Sequence, residues 1–464
     1  MPVRMERPEL STSSDVAVAA QERGYPRIVV EPPGPRARAI VDRESTLASA
    51  CYIKAYPLVV ARGEGPMVED VDGNRFIDFM AGIGVASTGH AHPAVVGAIQ
   101  RAAGDFLHVC GTDFYYPAMT ELMDRLARLA PGPTPKRVFL TNSGTEAVDG
   151  AIKLARRATG RTQIVAFDGA FHGRSYGAMS LTSSKALQRK GFGPMLPGVH
   201  HVPYGYCFRC AYGKSWPSCE LACVSAIERN LFARRVDPSD VAAIVVEPIQ
   251  GEGGYVVPPA DYLPALRSLC DRHGILLVAD EIQSGVGRTG RMFACEHAGV
   301  EPDILLTAKG LASGMPIGAI VVRETVDLWE SGAHGSTFGG NPVCCAAANA
   351  TLELVENGLV DQAARVGRHL LARAADVASR HEVVGDVRGL GLMVGLELCD
   401  PARGGAPAKK LAEAVVQTAF RKGLLVLDAG ESVVRLLPPL VADEVDVDLA
   451  LGILDETLAE VSGA

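Results

Sequence analysis

From residue 138 to 322 the chain alternates short apolar runs with stretches of helical character, and this alternation limits the fold more than any other feature. "QIVAF" (163–167), "VAAIVVEP" (241–248), "GILLVADE" (274–281), "DILLTAKG" (303–310) and "IGAIVV" (317–322) are short and rich in Val, Ile and Leu. Runs of this kind suit strands buried on both faces of a mostly parallel sheet. Between them, "RVFLTNSGTEAVDGAIKLARRATG" reads as strand, polar turn and helix, with Gly160 as the stop. "DYLPALRSLCDRHG" reads as a second helix closing on Gly274. A layered α/β domain follows.

After "NPVCCAAANATLELVENG" two helical segments reach about residue 380. The last hundred residues mix strand runs with a helix near 407–422 and a final helix, which predicts a smaller α+β unit. The expected division is an N-terminal segment 1–75 joining the small domain, a large domain 76–354 with a Cys-rich insertion at 204–223, and a C-terminal small domain 355–464. Residues 1 to about 30 read as a poorly ordered lead-in.

Composition narrows the partners. A net charge of −8 without a basic block argues against nucleic acid and anionic membranes. No apolar run approaches the roughly 18–20 residues of a membrane span. The charged N-terminus has no apolar stretch of signal-peptide length, so the cytoplasm is the expected compartment.

In open α/β sheets ligands sit beyond the carboxyl ends of the strands. Two charges stand there: Asp280 ends "ILLVAD" and Lys309 ends "ILLTAK". Each is costly to bury without a partner. Either they pair directly, or a cofactor separates them. Pyridoxal phosphate meets both needs, with a lysine for its aldehyde and an acid for its ring nitrogen. "SGTEA" opens a helix after the first strand, so the backbone N–H groups of Gly144 and Thr145 are free to cradle a phosphate. Phe171 in "FHGR" supplies an aromatic face near the same edge.

These pieces, taken in order, resemble the class III (ω-amino acid) pyridoxal-phosphate aminotransferases of fold type I. "LVVARGEGPMVEDVDGNRFIDFMAGIGVASTGHAHPAVVGAI", "TNSGTEAV", "FHGRSYG", "EPIQGEGG", "LLVADEIQSGVGRTG", "TAKGLASGMPIGA", "GSTFGGNPV", "VRGLGLMVGLEL" and "RLLPPL" follow the family order across nearly the whole chain. The resemblance implies that Lys309 forms the internal aldimine and carries the proton, and that Asp280 pairs with the pyridinium nitrogen. It implies that Gly144 and Thr145 bind the phosphate, that Gln283 meets the ring hydroxyl, and that Ile282 and Phe171 sandwich the ring. Thr337 would reach the cofactor of a neighbouring subunit, which implies a homodimer. Lys153 and Lys185 are the lysines to suspect if Lys309 is wrong.

On the substrate side the resemblance implies Arg174 beside Glu247, and Arg435 paired with Glu252 until a dicarboxylate arrives. Together these four resemble the 4-aminobutyrate and ornithine branch, with 2-oxoglutarate as acceptor. "ASTGHAHP" departs from the usual pattern near Ala86–Thr88, in a loop expected to line the substrate pocket, and leaves the donor open. A racemase or epimerase using the same lysine is the rival enzyme reading. A non-enzymatic pyridoxal-phosphate-binding regulator is the reading from another class.

"YCFRCAYGKSWPSCELAC" (206–223) holds four of the eleven cysteines. Cys207 and Cys210 have the spacing of a zinc knuckle. Cys219 and Cys223 are expected one helical turn apart on a helix running into "SAIERNLF". Free thiols, a structural zinc, disulfides and a cluster all remain open. On each of them the segment fixes a loop rather than taking part in chemistry.

Overall fold

The computed structural model describes residues 18 and 20–463. Its centre is a seven-stranded sheet in the order Lys136–Thr141, Gly318–Arg323, Ile304–Thr307, Leu276–Asp280, Val241–Val246, Gln163–Phe167, Val199–Val202. Gly318–Arg323 runs antiparallel to both neighbours, and the remaining pairs are parallel. All six residues of Val241–Val246 are buried, as a strand covered on both faces requires. Each of these expected strands exists: Gln163–Phe167 coincides with its run, and the ends of the others differ by no more than three residues.

The helix Gly144–Thr159 stops at Gly160, whose φ of 68° is cheap only without a Cβ. Tyr262–His273 ends the same way on Gly274. Pro342–Leu354 and Val360–Ala378 meet across a kink at Gly358, so one helix, not the expected two, fills the stretch from there to about residue 380.

The C-terminal residues build a second sheet, Val384–Leu390, Met393–Asp400, Val433–Leu436 and Leu427–Ala429, antiparallel throughout. A third sheet is assembled from both chain ends: Arg75–Asp78 pairs in parallel with Leu424–Leu425. Most of the expected lead-in lies outside the described residues. The part that is described is tied down, since Arg23 bonds Asp446 at 3.0 Å and Arg27 pairs with Arg75. Among the described residues no helix is long and apolar enough to cross a membrane.

Candidate active site

A cavity of about 430 Å³ opens at the carboxyl ends of the central strands, and most of the expected site residues line it. Asp280 ends its strand with only 4% exposure. Its carboxylate sits 2.6 Å from His172 Nδ1 and accepts the Ile282 N–H at 3.1 Å. The direct Asp280–Lys309 pair is therefore absent; Lys309 feels Asp280 and Glu247 only through their charges. The turn after Asp280 brings Ile282 and Gln283 to the cavity wall. Lys309 follows the neighbouring strand with φ 43°, a left-handed conformation uncommon for a side-chain-bearing residue and frequent at functional sites.

The phosphate cradle is visible in the backbone. Ser143 caps the helix by accepting only the Glu146 N–H, and Gly144 and Thr145 precede the first intrahelical bond. A Cβ on Gly144 would stand 2.8 Å from Ile282 Cδ1, so glycine is what fits there. Thr145 Oγ1 accepts the N–H groups of Arg174 and Ser175 at 3.2 and 3.1 Å. Its hydroxyl is thus committed to the 174–175 loop, and its N–H is the group left for an anion.

Phe171 lies four residues beyond its strand and lines the cavity, with the Arg174 guanidinium 6.0 Å from its ring centre. Arg174 is exposed and forms no salt bridge among the described residues. Glu247 lines the same cavity without pairing with Arg174; its carboxylate accepts the Phe171 and Gly251 N–H groups at 3.0 and 2.9 Å. The other expected pair is present. Glu252 lines the cavity and meets Arg435 behind it at 3.4 Å, while its second oxygen takes Lys185 at 2.9 Å.

Burial sets the proton affinities here. It pushes Glu247 up to about 7 and lowers Lys309, against the charges of Asp280 and Glu247. Burial also opposes protonation of His172, but the Asp280 hydrogen bond and the Asp280 and Glu247 charges outweigh it and raise its pKa.

Several residues stand apart from the cavity. Thr337 is exposed and does not line it. Lys153 reaches His334 at 2.9 Å and Lys185 is taken by Glu252, so neither of these lysines offers its amine to the cavity. From the Val85–Thr88 loop only Val85 reaches the wall; Ala86, Ser87 and Thr88 are buried behind it.

The insertion's cysteines are unbridged. Among the described residues no three of His, Cys, Asp or Glu are grouped to hold one metal ion, so Cys207, Cys210, Cys219 and Cys223 do not form a ligand set. Glu220 and Leu221 have φ of 48° and 52°, and the helix starts only at Ala222. Cys219 therefore lies in a turn, not one helical turn below Cys223. Burial pushes the Cys223 thiol up to about 11, which disfavours a thiolate.

Sequence reasoning missed His172, and it named Lys185 only as a substitute for Lys309, not as a partner of Glu252. The only sequence signal for His172 was its place in "FHGR"; the Lys185–Glu252 contact had none.

Gln283 Oε1 and His172 Nε2 are buried without a partner among the described residues. With a lysine of lowered pKa, a buried aspartate and two unbonded helix amides on one cavity, they fit pyridoxal phosphate group by group. Fold and site define a pyridoxal-phosphate-dependent enzyme of fold type I.

Residues 50–458 match the family described as aminotransferase class-III. The chain is 39% identical over 444 residues to a 4-aminobutyrate aminotransferase of Mycobacterium tuberculosis, covering 94% of this chain and 98% of that one. It is 38% identical to an alanine/serine racemase of Pyrococcus horikoshii, with 94% and 93% covered. An amine transaminase structure from an uncultivated Pseudomonas species, in the pyridoxal-phosphate-bound form, superposes with TM-score 0.82 at 33% identity, covering 89% and 98%. An ornithine aminotransferase structure from Toxoplasma gondii gives TM-score 0.81 at 30% identity, covering 98% and 99%. The chain belongs to the class-III aminotransferase family.

Proposed function

We propose that this aminotransferase moves an amino group from an ω-amino acid, 4-aminobutyrate or an ornithine-like donor, to 2-oxoglutarate in the cytoplasm. The observation that carries this reading is the unequal state of two arginines. Arg174 is unpaired at the cavity, ready for the distant carboxylate of an ω-amino acid. Arg435 is neutralised by Glu252, so a donor with no carboxylate near its amine meets no bare charge. A dicarboxylate displaces Glu252 and takes Arg435 in a bidentate fork.

When bound, pyridoxal phosphate supplies an electron sink that lets a proton leave the substrate carbon beside the nitrogen. Lys309 would hold the cofactor covalently, and its amine, kept unprotonated by burial, would be free to take that proton and return it. Asp280, steadied by His172, would hold a proton on the ring nitrogen. The Gly144 and Thr145 N–H groups would hold the phosphate, Gln283 would meet the ring hydroxyl, and Phe171 and Ile282 would flank the ring. Glu247 orients the Phe171 and Gly251 backbone.

Thr337 would serve the phosphate of a second subunit. Support for a homodimer comes from the exposed side chains of Phe106, Leu107, Phe114, Tyr115 and Phe338. Bonds from Thr112 to Ser336 and from Asn341 to Leu107 tie their two segments into one patch. An apolar patch of this kind marks an interface. The racemase relative motivates one second reading, exchange of handedness at Cα by the same lysine.

The test offers 2-oxoglutarate with each candidate amine and measures glutamate formed. Glutamate from 4-aminobutyrate, 5-aminovalerate or ornithine is the expected result. Racemisation of alanine or serine without a keto acid, and no glutamate, would replace this reading by the second.

A further inference from the structure

The Cys-bearing insertion does not line the cofactor cavity, yet its side chains reach the C-terminal sheet. Arg209, between Cys207 and Cys210, points its guanidinium at the Glu397 carboxylate, with further contacts at 3.3 Å to Gly405 O and Cys399 Sγ. The Tyr206 hydroxyl donates to the same carboxylate. Glu397 is 2% exposed on the strand Met393–Asp400, so its charge depends on these partners. Its remaining partner is Arg388 on the adjoining strand, at 2.8 Å.

Arg388 links this cluster to the gate. Its guanidinium donates to Gly254 O at 2.6 Å and Tyr255 O at 3.1 Å, two and three residues after Glu252. It also pairs with Asp386 at 2.6 Å. Two arginines thus balance two carboxylates, and the balance leaves Arg388 donors for the backbone of the gate loop. Without Arg209, Arg388 is the only guanidinium left for both Glu397 and Asp386, and its hold on the two carbonyls weakens. The loop has room to shift. A cavity of about 370 Å³, lined by Tyr206, Arg209, Glu397, Gly253 and Gly430, lies alongside it.

The geometry points to Arg209 as a positioning residue for the carboxylate gate: through Glu397 and Arg388 it sets how firmly Glu252 competes for Arg435. The insertion is then a latch between the two sheets that tunes acceptor recognition. This rests on the reading of Arg435 as the dicarboxylate site.

The test is calorimetric binding of glutarate, an unreactive dicarboxylate, and valerate, an unreactive monocarboxylate, to the holoenzyme. Arg209→Ala loosens Glu252 and tightens glutarate binding about threefold to tenfold, while valerate affinity stays within about twofold. Arg209→Gln keeps most of the stem and drops the charge; it carries the same expectation and stands in if the alanine variant does not fold. Arg209→Lys, which keeps a charge on Glu397, restores the original glutarate affinity. Glu252→Ala tightens glutarate further, and adding Arg209→Ala to it changes nothing more. Tightening in Glu252→Ala but not in the Arg209 variants overturns the latch and leaves the gate standing. No tightening in Glu252→Ala overturns the gate and the latch with it.

Discussion

Replacing Arg435 by alanine separates the two halves of the proposed cycle. In most settings removing one member of a buried ion pair costs about 3–5 kcal/mol, because the other charge is stranded. Here Glu252 keeps Lys185 at 2.9 Å when Arg435 is gone, so no charge is stranded and the fold cost is small. The loss falls on binding instead. A bidentate clamp on a substrate carboxylate is worth about 2–5 kcal/mol, and a middle value of about 3 kcal/mol corresponds to roughly 150-fold. The rate with glutamate or 2-oxoglutarate should fall by about that factor. The rate with 4-aminobutyrate, whose carboxylate goes to Arg174, should fall less than about tenfold. Single-turnover mixing of the holoenzyme with each substrate measures the two half-reactions separately. Equal losses in both would refute the division of labour between the arginines. A large fall in thermal midpoint would refute the argument that Lys185 steadies Glu252.

Asp280→Asn leaves a neutral amide opposite His172 and should reduce turnover by about a thousandfold with every amine; steady-state rates within tenfold of the original would remove Asp280 from the mechanism. Glu247 titrates near 7 in the folded chain and near 4.3 when unfolded, so the folded state holds a proton that the unfolded state releases. Its contribution is complete below the unfolded value and is lost as pH rises through about 7, on the order of 3 kcal/mol. Thermal midpoints of the cofactor-free protein should therefore fall more between pH 5 and 8 in the original than in Glu247→Gln, and equal falls would contradict the burial of that carboxyl. Treatment with a metal chelator should leave transamination intact, because the insertion's cysteines do not line the cavity; activity lost to the chelator and regained with zinc would contradict this.

How much of this was legible in the sequence depended on whether a feature is local. The strand runs carry their own signal in β-branched and apolar residues, and Asp280 and Lys309 stand out because a charge ending such a run needs an explanation. The His172 partner of Asp280 was not legible, since it arrives from another strand's loop and only the sheet order brings the two together. The contact of Lys185 with Glu252 was hidden for the same reason. Glu247 was set beside Arg174 by the family resemblance, which says nothing of the hydrogen bonds its carboxylate makes. The backbone N–H groups of Phe171 and Gly251 reach it first. The helix expected through Cys219 and Cys223 failed because Glu220 and Leu221 adopt left-handed conformations that spacing cannot reveal. Arg23 and Tyr25 looked like part of a loose lead-in, and only the folded chain shows that their partner is Asp446.

The central claim is that Lys309 carries the cofactor, and it can be read directly. Borohydride reduction of the holoenzyme fixes the cofactor to its lysine, and peptide mass mapping then identifies the site. The account predicts the added mass on the peptide containing Lys309, and its disappearance in Lys309→Ala. The same mass on a peptide containing Lys153 or Lys185 would contradict it.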